Sequence, residues 1–135
     1  MKQQVETSLS EQDREQINDL AVKYANAVNK TDATAIAALF TEDGVFVTPA
    51  GIVSGREAIE AAYHELFKAG PVSDMVIKTV EIHGAGNLVW AFGQFSNNIE
   101  HGNWSTVDER NGDTWNIHML TYNITPPPTP LAETK

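Results

Sequence analysis

The chain has 135 residues, no cysteine, and 9 basic against 18 acidic side chains, a net charge of −9 with histidine neutral. That length suits one domain with a full hydrophobic core, read as residues 1–135 with a core of about 11–125. The charge argues against nucleic acid and anionic membranes as partners, since both are held through Lys and Arg. The missing thiols exclude disulfides, zinc–thiolate sites and cysteine nucleophiles. No apolar run reaches the length of a signal peptide or a membrane span, so the expected location is cytoplasmic.

Residues 1–9 read as a polar, frayed end. Ser10 with Asp13 forms a variant capping box that opens a first helix, Glu11 to Asn29, whose buried stripe is Ile17, Leu20, Ala21, Tyr24 and Val28. Thr31 or Asp32 caps a second helix that ends near Phe40, and Thr41-Glu42-Asp43-Gly44 is its exit turn. A short strand follows, with Val45 and Val47 on one face and Phe46 and Thr48 on the other. Pro49-Ala50-Gly51 turns the chain into a second short strand, Ile52-Val53. Ser54 and Glu57 form a capping box for a third helix that runs to about Ala69 and is closed by Gly70 and Pro71. The remainder is β-like: Met75 to His83, Leu88 to Asn98, Trp104 to Glu109 and Thr114 to Thr125. Gly84–Asn87 and Asn111-Gly112 are the turns, and Ser96 to Asn103 is a polar loop. Pro126-Pro127-Pro128 and Pro130 end the sheet in an extended tail.

Helices followed by a mostly β half suggest a curved sheet folded around helices, with a pocket between them. On the second long strand Ala91 and Gly93 alternate with Trp90 and Phe92. Small residues on the concave side would make room for a ligand, and bulky ones on the convex side would supply a dimer surface.

Several segments together resemble a known superfamily. They are Tyr24 through Asp32, Ala38-Leu39-Phe40 through Asp43 to Pro49, Gly55-Arg56 through Ile59, and Gly112 through Trp115 and Ile117. The chain resembles the nuclear transport factor 2-like superfamily, and within it the SnoaL-like and ketosteroid-isomerase-like group, over roughly residues 12–124. The resemblance implies a cystatin-like α+β fold: a cone-shaped α+β barrel with three N-terminal helices on a strongly curved, mostly antiparallel sheet. It also implies a homodimer and a pocket inside the cone. Tyr24 falls where ketosteroid isomerases place the tyrosine of their oxyanion hole. Their general-base aspartate falls at Thr48, which cannot take a carbon-bound proton unaided. Their second oxyanion acid falls near Ser105 or Thr106. The chain is therefore not read as a ketosteroid isomerase.

The expected site uses Tyr24 as donor to a developing enolate and His118 as acid or base, an imidazole having the only near-neutral unperturbed pKa in such a pocket. Thr48, Tyr63, Phe95, Trp104 and Tyr122 are the expected substrate-binding residues. His118 shares strand parity with Leu120 and Tyr122 and opposes Trp115 and Ile117, so a one-residue shift of register decides which face it takes. Asp43 is read as turn chemistry. Asp108 could supply a carboxylate near the cone mouth, but its neighbours Glu109 and Arg110 favour a solvated charge cluster, and Glu100-His101 is read as surface chemistry. His64, His83, His101 and His118 show no metal-ligand spacing, and no phosphate-binding loop is present, so neither metal nor cofactor is expected. Three functions fit: proton transfer on a hydrophobic carbonyl compound (isomerisation, cyclisation or dehydration), non-catalytic binding of an apolar ligand, and a dimeric association domain.

Overall fold

The computed structural model describes residues 9–126. The expected frayed end therefore lies outside the described residues up to position 8, and the proline tail lies outside them from 127 onward. Helix α1 is Glu11–Asn29, with Ser10 Oγ accepting from the Asp13 amide at 2.9 Å. Helix α2 is Ala33–Ala38, capped by Asp32 through the Ala35 amide at 3.0 Å. Both caps are side-chain oxygens satisfying amides that a helix start leaves without partners.

Helix α3, Arg56–Lys68, begins differently from the sequence expectation. Its N-cap is Gly55, at φ 95°, and no side chain caps it. Ser54 is held in strand instead, paired with Val45, and the Gly55 amide donates to Gly44 O at 2.8 Å. The positive φ that turns the chain from strand into helix is one a glycine adopts without strain. Arg56 secures the junction by donating from Nη2 to Phe40 O at 2.6 Å and from Nε at 3.2 Å.

Six strands follow one another as β1 (Phe40–Thr48), β2 (Gly51–Ser54), β3 (Val76–Ala85), β4 (Leu88–Ser96), β5 (His101–Asn111) and β6 (Thr114–Ile124). They form one open sheet in the order β2-β1-β6-β5-β4-β3. Every pairing is antiparallel except β1 with β6, so the sheet is mixed. The expected loop from Ser96 to Asn103 shrinks to residues 97–100, because β5 already begins at His101. Thr41–Gly44, expected as a turn, lies inside β1 where the strand bows away from β6: Phe40 pairs with Ile117, and the next pair is Val45 with Met119.

The core lies between the helices and the inner face of the sheet. Ile36, Phe40, Phe46, Ile59 and Val89 are almost completely buried there. On β4 the alternation runs as expected. Val89, Ala91 and Phe95 are buried, while Leu88, Trp90 and Phe92 stay exposed on the outer face.

Two bulges set which side chains face inward. On β6, Met119 pairs with Val107 and Ile117 with Asp108, so His118 is an extra residue with no partner opposite. A bulge of this kind reverses the alternation of faces beyond it. Trp115 and Ile117 point inward before it, Leu120 and Tyr122 after it, and all four pack against the core. On β3, Thr79 pairs with Gly93 and Glu81 with Phe92, leaving Val80 as the extra residue, half-exposed on the outside.

Candidate functional site

A cavity of about 280 Å³ opens between α1, α3 and the inner face of the sheet. Helix α1 presents Ile17, Leu20, Ala21, Tyr24 and Val28 to it at helical spacing, and α3 adds Tyr63, Leu66 and Phe67. Strand β5 contributes every second residue, Trp104, Thr106 and Asp108. Seven aromatic rings line the space: Tyr24, Phe46, Tyr63, Phe67, Phe95, Trp104 and Tyr122.

Six of the rings, all but Trp104, form a connected wall. Phe46 stacks on Tyr63 with centroids 4.8 Å apart and planes 8° from parallel. Tyr122 lies 5.9 Å from Phe46 and, edge-on, 5.9 Å from Phe95. Tyr24 meets Tyr63 edge-to-face, and their hydroxyl oxygens are 2.5 Å apart. Two hydroxyls carry two protons, and the bond between them uses one. The second O–H is free to donate to a ligand. Burial holds both tyrosines well above the ordinary phenol range, so both remain protonated donors.

Asp108 is the unusual member of the lining. It is only 2 % exposed, and its Oδ2 accepts from Thr106 Oγ1 at 3.4 Å. Its Oδ1 is buried without any hydrogen-bond partner. Burial pushes the carboxyl up to about 7, with the Thr106 hydrogen bond opposing the shift. The next basic residue along the strand, Arg110, is committed elsewhere. Its Nη2 donates to Asp13 Oδ1 at 2.8 Å, and its guanidinium lies 4.5 Å above the Trp115 ring. Among the described residues no cation pairs with Asp108.

Of the residues expected from sequence, Tyr24, Tyr63, Phe95, Trp104 and Tyr122 come together around this cavity. Trp104 is fixed by Nε1 donating to Gln94 O at 3.1 Å. Thr48 and His118 do not join them. Thr48 closes the β1–β2 turn, with Oγ1 donating to Gly51 O at 3.1 Å and accepting from the Ala50 and Gly51 amides. His118, next to the inward-facing Ile117, points away from the cavity, and the bulge brings Leu120 and Tyr122 inward after it. Its Nδ1 lies 3.3 Å from Thr41 Oγ1, 3.7 Å from Asp43 Oδ1 and 3.8 Å from Glu109 Oε2. Asp108 is the reverse case. Of its two sequence readings, the solvated cluster does not hold and the carboxylate beside the pocket does, for it is buried against the cavity. The signal was available, since Trp104, Thr106 and Asp108 share one face of an unbroken strand. Among the described residues no group of three or more His, Asp or Glu side chains is placed to hold a metal ion.

The comparisons with known proteins agree with this architecture. The sequence matches the SnoaL-like domain family over residues 21–121. The chain belongs to that family. No curated protein matches the sequence. Among solved structures, a cystatin-like protein of unknown function from Nostoc punctiforme is similar with a TM-score of 0.78 at 15 % identity, over 89 % of this chain and 96 % of that one. A ketosteroid isomerase-like protein from Erwinia carotovora atroseptica is similar with a TM-score of 0.73 at 17 % identity, over 84 % and 96 %. A nuclear transport factor 2-like protein of unknown function from Pseudomonas putida gives 0.74 at 19 % identity, over 86 % and 89 %. At these identities the likeness is one of fold. This SnoaL-like chain shares the fold of all three, described as cystatin-like for the first, and its function must be argued from its own side chains.

Proposed function

We propose that this SnoaL-like protein carries out proton transfer on a hydrophobic carbonyl compound, with Asp108 as the acid–base group and the Tyr24–Tyr63 pair as the oxyanion donor. The observation that carries the reading is the carboxyl of Asp108, buried on the wall of an aromatic cavity with one oxygen free. A carboxyl held near neutrality is matched to general acid–base work, because both of its forms are populated at pH 7.

The chemistry follows from those parts. With a ketone in the cavity, ionised Asp108 removes a proton from the carbon beside the carbonyl, and the electron pair moves onto the carbonyl oxygen. The free tyrosine O–H donates to that oxygen as its charge grows. Asp108 then returns the proton to the same carbon or to a conjugated one, giving exchange in the first case and isomerisation in the second. The low polarity of the lining strengthens each of these interactions.

A second reading has the same cavity hold an apolar ligand without chemistry. One experiment separates the two. A bicyclic aromatic ketone is incubated with the protein in D2O, and deuterium at the α-carbon is followed by mass spectrometry. The enzyme reading expects exchange well above the buffer rate. Saturable binding with exchange at the buffer rate would leave the binder.

The homodimer expected from sequence belongs to this proposal, with the outer face of β3 and β4 as its surface. Val80, Leu88, Trp90 and Phe92 are exposed there side by side, and Trp90 stacks with both His83 and Phe92. Among the described residues no helix is long and apolar enough to cross a membrane. The cytoplasmic location stays part of the proposal.

A further inference from the structure

We infer that the ligand is an uncharged ketone or enone of one or two rings, and that Glu100 and Asp108 together exclude the carboxylate of the same skeleton. The inference rests on the pocket reading above and adds to it the sign of charge that the pocket accepts.

Size sets the first limit. Ligand pockets commonly span roughly 300–1,000 Å³, and this cavity, at about 280 Å³, lies just below that range. Charge sets the second. Among the described residues the lining contains two carboxylates, Glu100 and Asp108, and no Lys, Arg or His. Glu100 stands at the rim, on the short turn between β4 and β5. That turn is pinned by Asn97, whose Oδ1 accepts from the Ile99 and Glu100 amides at 2.8 and 2.9 Å. The charge of Glu100 already reaches into the cavity, helping burial to raise the Tyr122 hydroxyl. Arg110, the nearest basic residue on β5, is tied to Asp13 and Trp115. A carboxylate ligand would pass one negative charge at the rim and, above pH 7, meet another at the wall, losing its hydration with no cation among the described residues in return. A ketone meets no such barrier, and its oxygen only needs the one free tyrosine O–H.

The test uses 2-acetylnaphthalene and 2-naphthoate, a ketone and a carboxylate of nearly equal shape, titrated against the wild-type chain and a Glu100→Gln/Asp108→Asn double variant. At pH 8 the wild type is expected to bind the ketone at least about 30-fold more tightly than the carboxylate, as expected for like charges in a poorly solvated site. The double variant should narrow the ratio to within about threefold, chiefly by gaining affinity for the carboxylate. Should that variant fail to fold, the wild type at pH 5.5 supplies the same comparison. Asp108 is then protonated, Tyr24, Tyr63 and Tyr122 are unchanged, and the ratio should fall by at least about threefold. Equal binding of the two probes by the wild type, or a ratio unmoved by variant and pH, overturns the charge inference and leaves the pocket reading standing. If the ketone does not bind at all, the pocket reading falls, and the inference falls with it.

Discussion

Asp108 and His118 stand on neighbouring strands beside the same bulge, in opposite surroundings. Asp108 faces inward, with one carboxylate oxygen buried and unpartnered. His118 is the bulge residue itself, partly exposed and set among Thr41, Asp43 and Glu109 on the other side of the sheet. By reference pKa the imidazole is the better proton carrier near pH 7. By surroundings the carboxyl is, because burial moves it to about 7 inside a cavity that can hold a substrate. The contrast teaches that strand parity, more than reference pKa, decides which of two titratable side chains reaches the cavity.

Substitutions that separate the two sides test the contrast. The largest effect is expected at the carboxyl. Asp108→Asn should cut deuterium exchange into a bound ketone by about 100-fold or more, the usual scale for a general base. Retention of most of the rate would remove Asp108 from the mechanism. The tyrosines come next. Tyr24→Phe or Tyr63→Phe takes one hydroxyl from the pair, and the rate should fall by roughly 10- to 100-fold with little change in ketone affinity, as befits a donor that strengthens in the transition state. An equal loss of affinity and no loss of rate would make the pair a binding feature alone.

Stability gives a third test, with a definite sign. The native state holds the Asp108 proton more tightly than the unfolded chain does, the pKa rising from 3.8 to about 7. Its contribution to stability is thus complete below pH 3.8 and is lost as pH rises through 7. Asp108→Asn removes that dependence. Relative to wild type, the variant should gain on the order of 2–3 kcal/mol between pH 5 and pH 8 in urea unfolding. A difference that stays constant across that range would show a carboxyl that is not destabilised by burial. The smallest effect is expected at His118. His118→Ala should change the exchange rate by less than about twofold and the stability by about 0.5 kcal/mol or less, as for a surface substitution. A large loss of exchange would return His118 to the site.

Much of this was legible in the sequence. The stripe from Ile17 to Val28 and the Ser10 cap define α1, and the alternation of Ala91 and Gly93 with Trp90 and Phe92 assigns the two faces of β4. Tyr24, Tyr63 and Trp104 could be placed on the cavity because their helix or strand runs without interruption there. What the sequence concealed depends on pairing. The bulge at His118 and the bow of β1 from Thr41 to Gly44 are features of how β6 pairs with its two neighbours, which no local pattern announces. Gly55 displaced Ser54 as the cap for a similar reason, since Ser54 was held by its strand partner Val45. Asp108 was hidden by its charged neighbours. Glu109 and Arg110 suggest solvent, and only the strand parity shared with Trp104 and Thr106 suggests the interior.

The most direct measurement is the titration of the Asp108 carboxyl itself, by NMR of the carboxyl carbon, with Asp108→Asn used to assign the signal. A midpoint near 7 that moves when the ketone is bound is the result this account predicts. A midpoint near 4, indifferent to the ketone, would mean a hydrated carboxylate away from the ligand and would contradict the assignment of Asp108 to the chemistry.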